Sequence, residues 1–284
     1  MMNRKQIVVI VAVVAVMGYL YSLPVKGLPQ AKAATRGQEA AGAAPMVKAN
    51  ANINVASVSA SAKANIDASV AKQISTLEDK LKTAGDADKA TLQRQLAKAW
   101  ESVVQPAPAA FYYQELAQKS NAMADWLDAG KDFNAAYKLS QDTSAQGTYI
   151  VNAVEAFKNA TKLQPASLEA KTGLGVAYVN GGAMPMQGIA LLLEVVKLDP
   201  KNHDAVLNLG MFAMKSGQYE KAVDRFKTLI AQKEELEPYF YLAESYKQLG
   251  KKQEAIAAYE KCKDIMGDPS AGQRIDEYIK ELKK

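Results

Sequence analysis

From about Asn52 to the C-terminus, apolar and polar positions recur with the period of amphipathic helices. Ile66, Val70, Ile74, Leu77 and Leu81 follow spacings of 4, 4, 3 and 4, one apolar stripe on a helix that ends near Gly85. Leu92, Leu96, Trp100 and Val103 mark a second helix, stopped by Pro106 and Pro108. A third begins near Ala109 and carries Phe111, Tyr112, Leu116 and Ala117, with the two prolines as its entry turn. Further on stands the phrase LGMFAMKSGQYEKAVDRFKTLI, residues 209–230. It places a small residue in a first helix, a glycine turn, then a small residue and an aromatic in a second helix. The phrase recurs at about one helical hairpin's length, which predicts an all-α array of stacked hairpins.

Ahead of the helices the pattern changes. Ile7 to Leu23 is a run of 17 uncharged residues, roughly 26 Å as a helix and close to a bilayer core. Tyr19 and Tyr21 stand near its outer end, where amphipathic rings favour an interface. The best small-x-small cleavage site, Ala31-Lys32-Ala33, lies well past the run, which favours an uncleaved transmembrane anchor over a signal peptide. Residues 1–23 are therefore expected to be a cytoplasmic tip and anchor. Residues 24–50 hold Pro24, Gly27, Pro29, Gly37, Gly42 and Pro45 and read as a flexible linker. Arg4 and Lys5 favour a cytoplasmic N-terminus, blunted by Lys26, Lys32 and Arg36. In a bacterium this predicts a single-pass inner-membrane protein with its C-terminal bulk in the periplasm.

Residues from about 123 to 270 resemble the tetratricopeptide repeat family, a helix–turn–helix of about 34 residues. In 203–236 the match rests on Leu209, Gly210, Gly217, Tyr219, Ala222 and Phe226, with Leu229 at a later small-residue position. In 237–270 it rests on Tyr239, Leu242, Ala243, Tyr246, Gly250, Ala255, Tyr259 and Cys262. The copy at 167–202 has Leu174, Gly175, Tyr178, Gly188, Leu192, Val195 and Pro200. The copy at 123–166 is degenerate: Trp126, Ala129, Gly130 and Phe133, then Ala153, Phe157, Ala160 and Pro165, with about eleven extra residues between Phe133 and Ala153. These form a lengthened helix or an inserted loop. Residues 51–122 read as a proximal helical region, a hairpin packed on the array or a coiled-coil dimer through 66–81. Ile275, Tyr278, Ile279 and Leu282 give 271–284 the look of the family's capping helix.

Composition narrows the chemistry. The formal net charge is +5 over 284 residues, and cations are not clustered with stacking aromatics, so no nucleic-acid partner is expected. One cysteine, Cys262, and one histidine, His203, allow neither an intrachain disulfide nor a Cys/His zinc cluster. Walker A, Rossmann, HExxH and GxSxG motifs are absent from the sequence. The expectation is no catalytic residue, no cofactor and no metal, with Cys262 an inert core thiol and His203 a residue of a helix start.

What the resemblance implies for binding is a groove lined by the first helix of each repeat. Its positions here are Thr172, Val176 and Val179, then Leu207, Asn208, Met211, Met214 and Lys215, then Phe240, Glu244 and Lys247. An apolar centre suits a partner's helix or extended peptide, although Val176 and Met214 could equally pack against neighbouring helices. Some relatives clamp a C-terminal carboxylate with Lys and Asn, but the matching positions carry Thr172, Val176, Leu207 and Met211, which disfavours that mode. The expected function is a membrane-tethered scaffold or adaptor that docks envelope proteins. The alternatives are a self-associating structural subunit and an accessory subunit of a membrane enzyme or cytochrome-assembly complex, to whose architecture the array is similar.

Overall fold

A computed structural model describes residues 49–50, 52–182, 184–267 and 272–284. Thirteen helices follow one another among the described residues: α1 Val55–Lys63, α2 Ala68–Thr83, α3 Asp86–Ser102, α4 Pro106–Ser120, α5 Met123–Leu139, α6 Thr143–Leu163, α7 Leu168–Asn180, α8 Pro185–Leu198, α9 His203–Lys215, α10 Tyr219–Ile230, α11 Leu236–Gln248, α12 Lys252–Met266 and α13 Gln273–Leu282. Their starts are written locally. Side chains of Asp67, Asp142, Ser167 and Asn202 accept backbone N–H groups of the first turns of α2, α6, α7 and α9, satisfying donors that a helix leaves orphaned. Pro106 and Pro185 open α4 and α8, where a missing N–H costs nothing. The helix expected near Ala109 thus begins three residues earlier, because proline suits a first turn.

From α3 onward each helix packs on the next, and the first helices α5, α7, α9 and α11 also touch in series. This is a solenoid of helical hairpins. Small residues make the close crossings. The ring of Phe157 lies where a Cβ on Gly130 or Gly173 would sit, at 2.8 and 2.2 Å. The α3–α4 pair repeats the same chemistry, with Ala97, Trp100 and Ala109 fully buried and Tyr113 buried beside them. One core cluster runs from α1 through α7, a second from α9 through α13, and Val176, Leu192, Val195, Ala205, Leu209 and Phe212 join the two.

The extra residues between Phe133 and Ala153 form no long loop. They lengthen both helices of that pair, to 17 residues in α5 and 21 in α6, against 13 and 12 in α9 and α10. The apolar stripe at 66–81 packs on the chain's own core, in line with the packed-hairpin reading, and this corrects the alternative of a homodimer through 66–81. Ile74 is 1% exposed, and Ile66, Val70, Leu77 and Leu81 pack on the same core. The apolar face that was to meet a second copy is already covered.

The expectation of a membrane-anchored, envelope-type member is also corrected. Among the described residues no helix is long and apolar enough to cross a membrane. The longest, α6, carries Glu155, Lys158 and Lys162. The apolar α8 has only 14 residues, about 21 Å of helix against a core of about 30 Å. The run Ile7–Leu23 and the linker lie outside the described residues. No described helix supplies the expected transmembrane anchor, the membrane tether or the single-pass inner-membrane placement with a periplasmic bulk.

Candidate protein-binding groove

The eleven expected groove residues fall into three environments. Thr172, Val176, Leu207 and Asn208 are buried. Val176 packs with Leu192 and Phe212 in the joining cluster, and Leu207 belongs to the C-terminal core. The Asn208 Nδ2 donates to the Asp204 carbonyl at 2.8 Å. Val179, Met211 and Met214 are half-buried, and Lys215 is exposed with its ammonium 5.7 Å from the Phe212 ring centroid. Every helix packed on α9 is an array neighbour, namely α7, α8, α10 or α11.

Phe240, Glu244 and Lys247 of α11 are engaged by the chain itself. The Phe240 ring meets those of Tyr241, Tyr259 and Tyr278. The Tyr259 hydroxyl donates to the Glu244 carboxylate, and burial together with that carboxylate holds the phenol above its usual pKa. Lys247 sits 5.4 Å from the Tyr278 centroid and 3.9 Å from Glu281. The terminal helix α13 therefore reaches the part of the expected groove that α11 was to supply.

Sequence reasoning missed an acidic surface at the other end of the array. Asp125, Asp128 and Asp132 of α5 lie at spacings of 3 and 4, a one-face pattern legible in the chain. Asp125 is nearly fully buried, pairs with Arg94 of α3 at 2.8 Å and accepts from the Ser120 hydroxyl at 3.0 Å. The Tyr113 hydroxyl donates to Glu101 at 3.2 Å. Burial pushes the Asp132 carboxyl up to about 7, helped by Glu101 and Asp128, and its Oδ2 is buried without a hydrogen-bond partner. Lys131 pairs with Glu169 of α7. Nearby, Asn134 Nδ2 ties α5 to α7 by donating to the Gly173 carbonyl at 3.1 Å, while Asn134 Oδ1 and Thr172 Oγ1 are buried and unpaired.

Reactive chemistry is not assembled on these surfaces. Burial pushes the Cys262 thiol up to about 11, away from the thiolate. His203 bonds through Nε2 to Glu235 at 2.8 Å. Among the described residues no group of three or more His, Cys, Asp or Glu side chains could hold a metal ion.

The comparisons agree with this geometry. Residues 152–203, 191–224 and 236–265 each match a family model described as tetratricopeptide repeat, so over these stretches the chain is similar to that family. A thermophilic tetratricopeptide repeat protein of Thermus thermophilus is 18% identical with a TM-score of 0.54, over 66% of this chain and 97% of its own. PilW, described as a widely conserved type IV pilus biogenesis factor, is 18% identical with a TM-score of 0.54, over 70% and 87%. The Cut9–Hcn1 hetero-tetramer of the APC/C gives 15% identity and a TM-score of 0.53, over 80% of this chain and 41% of that one. These likenesses show the fold, an all-α solenoid of tetratricopeptide-like hairpins. No curated protein matches the chain.

Proposed function

We propose that the chain is a protein-binding scaffold whose partner lies along the first helices α7 and α9. Val179, Met211, Met214 and Lys215 make the contact, while buried Thr172, Val176, Leu207 and Asn208 hold those helices in place. The observation that carries this reading is the half-exposed apolar face of Met211 and Met214 on a helix packed only by its array neighbours. Unbranched, polarisable methionines adapt to a partner's shape, and a helix or extended apolar segment is the ligand such a face suits. Phe240, Glu244 and Lys247 border the groove through α13 rather than lining its open centre.

The test is photo-crosslinking from position 211 in intact cells, repeated with Met214→Glu in place. Proteins captured from position 211 and lost on Met214→Glu, with helicity by circular dichroism unchanged, support the groove. Capture that is indifferent to Met214→Glu argues against it.

A further inference from the structure

The residues inserted between Phe133 and Ala153 build a cavity. Gly147, Ile150, Val151 and Val154 stand at i, i+3, i+4 and i+7 on one face of α6. With Tyr137 of α5 and Tyr178 of α7 they wall a space of about 180 Å³. Its floor of Ile150 and Val154 is buried, and its two tyrosine walls are half-buried. Gly147 belongs to the α6 face without filling it. Glycine inside a helix costs about 1 kcal/mol relative to alanine, and here its missing side chain leaves room that another residue would take. The size points to a single ring. An apolar cavity of about 150 Å³ takes up benzene, whereas drug-sized ligand sites begin at roughly 300 Å³. Two tyrosines among the walls favour an aromatic occupant, with ring edges meeting ring faces.

The polar groups of the cavity ask for a hydrogen-bond donor. Helix α7 ends here at Asn180, whose carbonyl receives a long contact of 3.4 Å from the Tyr137 hydroxyl. The last carbonyls of a helix form its negative end and attract donors. Gln146 also lines the cavity, and its Nε2 is committed to the Ser140 carbonyl at 2.7 Å, which leaves its amide oxygen to accept. The Lys158 ammonium already stands 5.8 Å from the Tyr178 ring centroid, so a neutral donor suits the site better than a second cation.

We propose that this cavity is a binding site for one neutral aromatic ring carrying a single hydrogen-bond donor, a phenol or an indole. The ring lies between Tyr137 and Tyr178, with its donor on the Asn180 carbonyl or the Gln146 amide oxygen. Its source is a tyrosine or tryptophan side chain of a polypeptide, or a free small molecule of the same chemistry. The site is independent of the partner face on α7 and α9, because Val179, Met211, Met214 and Lys215 do not line it.

The test titrates the full chain with phenol, benzene and N-acetyltyrosinamide, read by saturation-transfer NMR. Phenol is expected to bind at least about threefold more tightly than benzene, which offers the ring without the donor. Gly147→Leu puts a side chain into the cavity and is expected to weaken phenol binding at least about tenfold, with helicity by circular dichroism unchanged, because the ring loses its buried area. Val151→Phe fills the space from its half-buried wall and gives the same loss, which decides the matter if Gly147→Leu does not fold. Leu193→Phe, at an exposed position of α8 outside the cavity, leaves phenol binding as in the parent chain. N-acetyltyrosinamide binding at least as tightly as phenol supports a polypeptide side chain as the source, and its exclusion while phenol binds supports a free small molecule. Absence of phenol binding, phenol no tighter than benzene, or undiminished binding in the folded filling variants overturns the proposal.

Discussion

A Cβ on Gly210 would lie 2.6 Å from Cε1 of Phe226, closer than packed carbon atoms approach. The glycine of α9 and the aromatic of α10 thus form one unit, and neither can be chosen without the other. Alanine favours a helix over glycine by about 1 kcal/mol, but the fully buried Phe226 ring has nowhere to move, and overpacking costs about 1–3 kcal/mol. Gly210→Ala is therefore expected to lower stability by about 1 kcal/mol net, and Gly210→Trp to prevent the crossing altogether. Urea unfolding of the two variants checks the order.

Asp132 makes the fold sensitive to pH. Burial raises its carboxyl from 3.8 to about 7 in the folded chain. Between those values the folded state holds a proton that the unfolded state has released, so its contribution falls as pH rises from about 4 to 7. Above 7 the penalty is complete, on the order of 2 kcal/mol for a partly screened site. Asp132→Asn is expected to raise the urea midpoint at pH 8 and to change it little at pH 4. A gain of equal size at both pH values would contradict this assignment.

Val104 sits in the left-handed region at φ 55°, between α3 and α4, with 71% of its surface exposed. A β-branched residue is strained there, and little apolar burial is lost by removing it. Val104→Gly should stabilise the chain by about 1 kcal/mol, a rise of about 2–4 °C in Tm. A thermal melt that shifts down instead would place the Val104 side chain in a contact worth more than the strain.

Ile74, 1% exposed, tests the packing of the proximal helices. Ile74→Lys would bury an unpaired charge and is expected to cost about 4 kcal/mol. Hydrogen exchange should rise first in α1–α3, with the solution mass of the chain unchanged. A change in mass without loss of protection would restore the dimer that the fold argues against.

Much of the architecture was legible because the signals are local. The Leu-Gly and Ala-Phe spacings at 203–236 and the turn glycines Gly217 and Gly250, both left-handed at φ 73° and 71°, state the hairpins outright. The α3–α4 pair was legible as two helices but not as a copy of the repeat, because Ala97 stands where three of the four copies carry glycine and Trp100 where they carry a smaller residue, although Ala109 and Tyr113 keep the spacing of Ala222 and Phe226. The groove was less legible. Residues assigned to one inner surface by homologous position divide into buried Val176 and Leu207, half-exposed Met211, and Phe240 packed by Tyr278.

The sequence by itself determined which residues are helical, where the hairpins turn and which face of each helix is apolar, since caps, breakers and a 3.6-residue period act within a few residues of each other. Only the tertiary structure decided what covers each apolar face. Packing buried the 66–81 stripe within the chain and turned the eleven-residue insertion into longer helices. It also brought Tyr278 onto Phe240 and drew Asp132 together with Glu101 across two helices. Periodicity reports that a surface is apolar or charged. Its partner is set by contacts between residues far apart in the chain, and no local pattern contains them.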